Sequence, residues 1–467
     1  MCLLGIGLVL VGVLLGTVLW RAPLGGAHAA EVPKQSIIQA SVLPLKPMYK
    51  QAVKMGTNAK GCLQSTTLPL CYSPQQLRMA YGVQPLIARG ITGKGRIITI
   101  IDAFQDPTIR ADLHLFDTLF GLNDPQLNII APFGLTRFNP KDPAQTGFAG
   151  EIALDVEWAH AIAPGATIDL VLANVQQESL QGELAALIRA TGFAVHNNIG
   201  SVISQSFGVS EECVGNALLQ QAHAIFQLAR AQKQTVFASA GDSGAAVVRC
   251  AANGQPVALE RGVNYPASDP LVTSVGGTTL QIAGNGAYVG ETAWNESQRN
   301  GGATGGGISN VFAVPAYQQN IVNAGGRGVS DIALDADPLT GVPIVTSSMM
   351  PGETMLIPTG GTSVGAPVAA GLTALFDQAS GNKRLGFLNS AFYRISQSPA
   401  IYAQAFQDVK TGNNTFTFKN GNGQSETVPG FESGARWDSP TGIGSPDAAN
   451  LATVLPLFIT PEDGASL

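Results

Sequence analysis

Apolar and polar positions follow several distinct rhythms along this chain. Cys2 to Trp20 form a nearly unbroken apolar run, and Ala27-His28-Ala29 then places small residues where a signal peptidase reads. This predicts a secretory signal over 1–29 and a secreted protein. The alternative is a retained membrane anchor through residues 2–20, because the run approaches the roughly 20 residues that span a bilayer. Residues 30–71 lack periodicity and read as a short leader or pro-segment, 72–456 as the folded body, and 457–467 as a tail.

Within the body, Ser73 caps a short helix over Pro74–Tyr81, and the β-branched run Arg96–Asp102 reads as a buried strand. Helical spacing follows over Thr108–Phe120 and Ala149–Ala163. Strands at Thr167–Ala173, Ser201–Phe207 and Thr235–Ala240 then alternate with helices at Glu178–Thr191 and Val214–Gln232. Such alternation predicts an α/β fold, a mostly parallel central sheet with helices on both faces. Working residues in such sheets gather at the carboxyl ends of strands, where Asp102 and Asp242 stand. Residues 253–360, rich in Gly, Pro and Asn, read as loops and short strands, and Pro367–Gln378 as a final helix.

Composition narrows the class. Charged residues are 12% of the chain, about half the usual share, and 26 Lys+Arg against 32 Asp+Glu leave a net charge of −6. A disordered polyelectrolyte is excluded, and no basic stripe is present to bind nucleic acid. If Cys2 leaves with the signal, Cys62, Cys71, Cys213 and Cys250 remain. Two disulfides suit an exported chain, most simply Cys62–Cys71 and Cys213–Cys250, although four cysteines allow three pairings. Buried free thiols are the alternative, and no spacing suggests zinc.

Four features carry chemistry. On the helix Ala149–Ala163, with Glu151 set at zero, Asp155 falls at about 40° and Trp158 at about −20°. Both acids therefore sit inside the apolar face, with Glu157 and His160 opposite. Burying two carboxyls one turn apart is costly unless they share a proton or meet a partner. An acidic helix start would explain Glu151 alone. Second, Gly360-Gly361-Thr362-Ser363 runs into an apolar helix, so Ser363 stands beside amides able to stabilise an oxyanion, and Pro367 needs no amide partner near that end. A plain helix cap is the competing reading. Third, Asp242 ends a strand between glycines, where a turn aspartate is the simpler account. Fourth, none of the five histidines lies in a context that suits a base for Ser363. The serine needs another proton acceptor, and Glu151 with Asp155 behind it is the substitute.

The order and spacing of Glu151-x-x-x-Asp155, Ser239-Ala240-Gly241-Asp242 and Gly361-Thr362-Ser363-x-x-x-Pro367 resemble those of the sedolisins, serine-carboxyl peptidases with a subtilisin-like fold. Tyr72-Ser73-Pro74, Ala303-Thr304-Gly305-Gly306-Gly307, Ser330-Asp331 and Ala336-Asp337-Pro338 support the match, which runs from Cys71 to about Asn450. The resemblance implies a three-layer subtilisin-like domain acting on peptides or unfolded proteins, monomeric and active in acid. It implies Ser363 as nucleophile, Glu151 as base, Asp155 as its proton-sharing partner and a protonated Asp242 in the oxyanion hole. It also implies one calcium ion held by the carboxylates of Asp408 and Asp438 and the carbonyls of Val409, Gly434 and Arg436. Three positions depart from the pattern: Arg436 replaces a glycine, Phe207 replaces a tryptophan, and Asp102 stands where some members have an assisting glutamate. The leader is short where the family has a large prodomain. Endopeptidase and tripeptidyl-type action both fit. A catalytically silent binding protein on the same fold is the alternative function. An esterase would need a Gly-x-Ser-x-Gly elbow with a downstream His, and no histidine follows Ser363.

Overall fold

The computed structural model describes residues 52–55, 61–65, 68 and 70–460, apart from 177–178, 252–253, 300 and 351. The predicted signal or anchor, the first part of the leader and the end of the tail lie outside the described residues. Among the described residues no helix is long and apolar enough to cross a membrane.

The core is an eight-stranded sheet. In chain order its strands are β1 (Ile97–Ala103), β2 (Leu127–Ile130), β3 (Thr167–Ala173), β4 (Val202–Gln205), β5 (Thr235–Ser239), β6 (Thr273–Ile282), β7 (Tyr288–Ala293) and β8 (Ile332–Asp335). They lie in the order β7-β6-β5-β4-β1-β3-β2, and β8 joins the other side of β6, where Val275 pairs with both Ser239 and Ile332. All pairs are parallel except β6 with β7. The predicted α/β sheet is therefore present.

Side-chain alternation divides the interior into two layers. Ile98, Ile100, Ile168, Leu170 and Leu172 enter one core, and Ile101, Ala103, Val171, Ala173 and Ile203 the other. Five helices flank the sheet: α1 (Ile109–Phe120), α2 (Pro143–Ile162), α3 (Leu180–His196), α4 (Asn216–Ala231) and α5 (Thr362–Ala379). Residues of α2 and α5 pack in the first core, those of α3 and α4 in the second.

Helix α2 differs from its expectation in two ways. It begins six residues before Ala149, because Asp142 accepts a hydrogen bond from Ala144 N and Pro143 occupies the first turn, where a missing amide costs nothing. It also has no solvated side beyond Phe148. Glu157 and His160, expected opposite the apolar face, are fully buried. The antiparallel pair β9 (Val342–Thr346) and β10 (Met355–Thr359) covers them. There Pro343 O accepts from Trp158 Nε1 at 3.0 Å, and Val345 N donates to Glu157 at 3.0 Å. His160 Nε2 lies 3.1 Å from Asp117 of α1.

Residues 253–360 hold more of the sheet than their composition suggests, since β6, β7 and β8 all come from this span. Gly276-Gly277 in the middle of β6 reads as a turn but serves close packing. A Cβ at Gly276 would lie 2.5 Å from Pro440 O, and one at Gly277 2.6 Å from the Ala336 Cβ. Upstream of Tyr72, Val53 and Lys54 pair with Leu356 and Met355 at the edge of β10. Disulfides join Cys62 to Cys71 and Cys213 to Cys250, with Cα separations of 5.2 and 5.3 Å.

On α4, His223 Nδ1 lies 2.9 Å from Asp269 Oδ2. That hydrogen bond raises the imidazole above its usual 6.5, against the opposing effect of burial, and the Asp269 charge adds to the rise. A raised imidazole holds its proton more tightly in the fold. Its contribution is full below the ordinary value and disappears as pH climbs through the folded one. We expect His223→Gln to lower the melting temperature relative to wild type at pH 5, with the gap narrowing by pH 8. Equal gaps at both pH values would refute the coupling.

Candidate active site

Asp102 continues the face of Ile98 and Ile100 along β1, so it meets α2 and not the second core. Glu151 and Asp155 project from consecutive turns of α2, and all three carboxyls are fully buried. Glu151 lies well inside the helix, so an acidic helix start does not account for it. Burial pushes Asp102 well above the usual carboxylate range, and the neighbouring Glu151 charge pushes it the same way. Burial also raises Asp155, followed by the charge of Asp102, while a hydrogen bond from Ser206 pulls it back. No basic side chain offsets either group among the described residues. Both Asp102 oxygens and Asp155 Oδ2 are buried without a hydrogen-bond donor from a neutral group. The protons of the cluster itself are the donors that remain, so the three acids cannot all be ionised together.

Ser363 sits in the first turn of α5, almost wholly buried. The helix starts at Thr362, so Pro367, expected at the helix start, lies inside it. The Ser206 hydroxyl follows β4 and links the two helices: it donates to Asp155 Oδ1 at 2.8 Å and lies 3.4 Å from the Ser363 carbonyl. Asp242 closes the other side. Its Oδ1 accepts from Thr362 N at 2.8 Å and Thr362 Oγ1 at 2.9 Å, and Gly241 N donates to Thr362 Oγ1 at 3.0 Å. Gly361, at φ 106°, permits this approach, since a Cβ there would lie 2.7 Å from Asp242 Oδ2. Asp242, Gly360 and Gly361 border a cavity of about 280 Å³ that Trp294, Pro338 and Leu339 also line.

The structure thus sets Asp155 and Ser363 on either side of Ser206, Asp242 against the first turn of α5 through Thr362, and Glu151 one turn before Asp155 on α2. Described histidines are engaged elsewhere: His114 with Asp124, His160 with Asp117, His196 with Gly192 O and His223 with Asp269. Sequence reasoning passed over Ser206 and Thr362. Ser206 was detectable as the next alternate position after Val202 and Ser204, on the face that Asp102 shares. Phe207 turns the other way, into the second core.

The five residues expected around calcium converge on a separate loop pair. Asp408 Oδ1 accepts from Arg436 N at 2.8 Å and Tyr402 Oη at 3.0 Å. Asp438 accepts from Gly434 N at 3.0 Å and from Thr441 N at 2.8 Å. Burial lifts Asp438 to about 6, with Asp408 adding its repulsion. Lys410 Nζ lies 3.5 Å from Asp408 Oδ2, and carboxylates with main-chain carbonyls are the oxygen donors that calcium takes. Among the described residues no group of three His, Cys, Asp or Glu side chains is placed to hold a metal, so main-chain oxygens are essential to any such site. Arg436 has φ 69°, a conformation that costs about 1–2 kcal/mol for a residue other than glycine.

No family model matches the chain. It is 32% identical over 440 residues to kumamolisin of Bacillus sp. (strain MN-32), covering 90% of this chain and 72% of that protein. It is 36% identical over 312 residues to sedolisin of Pseudomonas sp. (strain 101), covering 66% of this chain but 49% of that protein, so it spans about half that relative's length. A solved structure of Pseudomonas sedolisin, a serine-carboxyl proteinase complexed with two molecules of pseudo-iodotyrostatin, superposes with a TM-score of 0.67 at 31% identity. That match covers 83% of this chain and 98% of the solved one. The chain belongs to the sedolisin family of serine-carboxyl peptidases, and its fold is subtilisin-like.

An acid whose pKa is raised on folding takes up a proton as the chain folds. It favours the fold at low pH and costs stability as pH rises above the ordinary value of 3.8. Asp102→Asn removes that cost while keeping the shape. Relative to wild type, its melting temperature should therefore be higher at pH 7 than at pH 3.5. A difference that does not change with pH would contradict the crowding of the three acids.

Proposed function

We propose that this protein is a secreted, acid-active peptidase that cleaves peptides or unfolded proteins through an acyl-enzyme. One observation carries the reading. Ser363, held against Asp242 through Thr362, is tied by Ser206 to a buried carboxyl cluster, and the described histidines are engaged elsewhere.

In this reading the Ser363 hydroxyl attacks the peptide carbonyl as Glu151 takes its proton. Glu151 then delivers that proton to the departing amine. Asp155 shares the proton of Glu151 and orients it, with Asp102 adding a third carboxyl to the cluster. The Ser363 amide and Asp242 stabilise the oxyanion. Asp242 Oδ1 already accepts two hydrogen bonds, so a proton carried by this carboxyl belongs on Oδ2, beside the cavity. Water, activated by Glu151, then releases the acyl group. The cavity next to Asp242, walled by Trp294, Pro338 and Leu339, suits an apolar substrate side chain.

Carboxyl chemistry sets the pH range. The base must be ionised while Asp242 stays protonated, and reference carboxyl values near 4 place both conditions in acid. Activity on denatured casein should peak near about pH 4 and fall steeply above about pH 6. Ser363→Ala and Glu151→Gln should each lower kcat by roughly a thousandfold or more. Cleavage surviving both substitutions would remove the mechanism. Binding of peptide without cleavage by the wild type would favour the silent-protein alternative.

Calcium belongs to this reading as a structural ion held by Asp408, Asp438 and the carbonyls of Val409, Gly434 and Arg436. When bound, it would neutralise the two facing carboxylates. A chelator should lower the melting temperature by several degrees, and added calcium should restore it. Asp438→Asn should remove the response, and a melting temperature indifferent to the chelator would exclude the site.

A further inference from the structure

We propose that the Ser206 hydroxyl is a positioning residue whose rotation couples the protonation of Asp155 to the backbone of the nucleophile, Ser363. This rests on the peptidase reading above and adds a residue to it.

The geometry begins with Pro367. In an α-helix the amide of residue 367 would bond to the carbonyl of residue 363. Proline has no amide hydrogen, and its ring crowds that carbonyl. The Ser363 carbonyl is therefore deprived of its helical partner, and the Ser206 Oγ lies 3.4 Å from it. The same Oγ lies 2.8 Å from Asp155 Oδ1. One hydroxyl hydrogen faces two acceptors, in a site where Ser206 and Asp155 are both closed to water.

The charge on Asp155 decides which acceptor is served. An ionised Asp155 can only accept, and a charge-assisted bond is the stronger one, so the hydroxyl turns toward it. When Asp155 carries a proton on Oδ1 it donates to Ser206 instead, and the hydroxyl hydrogen is released to the Ser363 carbonyl. Each protonation state thus has its own complete set of bonds, and the first turn of α5 is held differently in each. The titratable groups around Asp155 are Glu151 on its own helix and Asp102 from β1. The end of β4 and the first turn of α5 contribute no charge.

Two substitutions pull in opposite directions. Ser206→Ala deprives ionised Asp155 of its donor, so the rising acid limb of the kcat profile should move to higher pH by about half a unit or more. Its kcat should fall about 10- to 100-fold with KM nearly unchanged, and Ser206→Thr should restore much of the loss. Pro367→Ala supplies the Ser363 carbonyl with an amide partner. It weakens the bond set of protonated Asp155 and should move the limb to lower pH.

The double variant should follow Ser206→Ala alone, because Pro367 acts through the hydroxyl. An unshifted profile in Ser206→Ala, or a Pro367→Ala shift that persists in the double variant, overturns the proposal. Should Ser206→Ala fail to fold, Pro367→Ala decides by itself: a downward shift supports the proposal, and no shift or an upward one refutes it. Melting temperature against pH reads the same titration without catalysis: relative to wild type, Pro367→Ala should lose less stability as pH rises above the ordinary carboxyl range, and a larger loss refutes the proposal as well. An inactive wild type whose variants shift in melting as described would therefore count against the peptidase reading alone.

Discussion

Three carboxyls crowded together in a buried cluster set the terms for the rest of this molecule. Asp102, Glu151 and Asp155 meet between β1 and α2 in a region closed to water. Ionised carboxylates in such a place repel one another and lack hydration, so the cluster must keep protons to exist. The Ser206 hydroxyl meets it from the end of β4. The fold meets this demand by extending α2 to Asp142 and enclosing it with β9 and β10, so that both acids stand in a rigid, dry segment.

The same constraint explains why much of the site was legible in the sequence. A helix with two acids among Trp158, Ile162 and Leu154 has few inexpensive explanations, and glycines ahead of Ser363 mark a tight entry into an apolar helix. Other features were legible but passed over. Asp142-Pro143 carries both the cap and the first-turn proline of α2, yet the apolar rhythm that drew attention starts later. Glu157 and His160 looked solvated because helical angle separates faces but does not say how many neighbours a helix has. Here β9, β10 and α1 cover the remaining side.

The span from 253 to 360 resisted reading for a different reason. Glycine within a strand has the same letter whether it turns the chain or lets another backbone come close, and only the tertiary partner distinguishes the two. At Gly276 that partner is Pro440 O, more than a hundred residues away. Ser206 is the matching case among site residues. Its two acceptors belong to α2 and α5, and a lone serine after a short strand does not reveal either. Arg436 shows the reverse: the sequence marks a departure from glycine, and the backbone keeps the left-handed conformation regardless.

Among the described residues, the segment ahead of Tyr72 is fastened by the pairing of Val53–Lys54 with the edge of β10, by a hydrogen bond from Leu70 N to Leu339 O and by the bridge from Cys62 to Cys71. Any maturation cut within the loop that this bridge closes would yield a two-chain product. Its smaller piece would stay covalently attached and would separate on a denaturing gel only after reduction. Removing the leader outright would instead require a cut beyond Cys71 or the loss of that bond, and the freed edge of β10 would then be left without its strand partner.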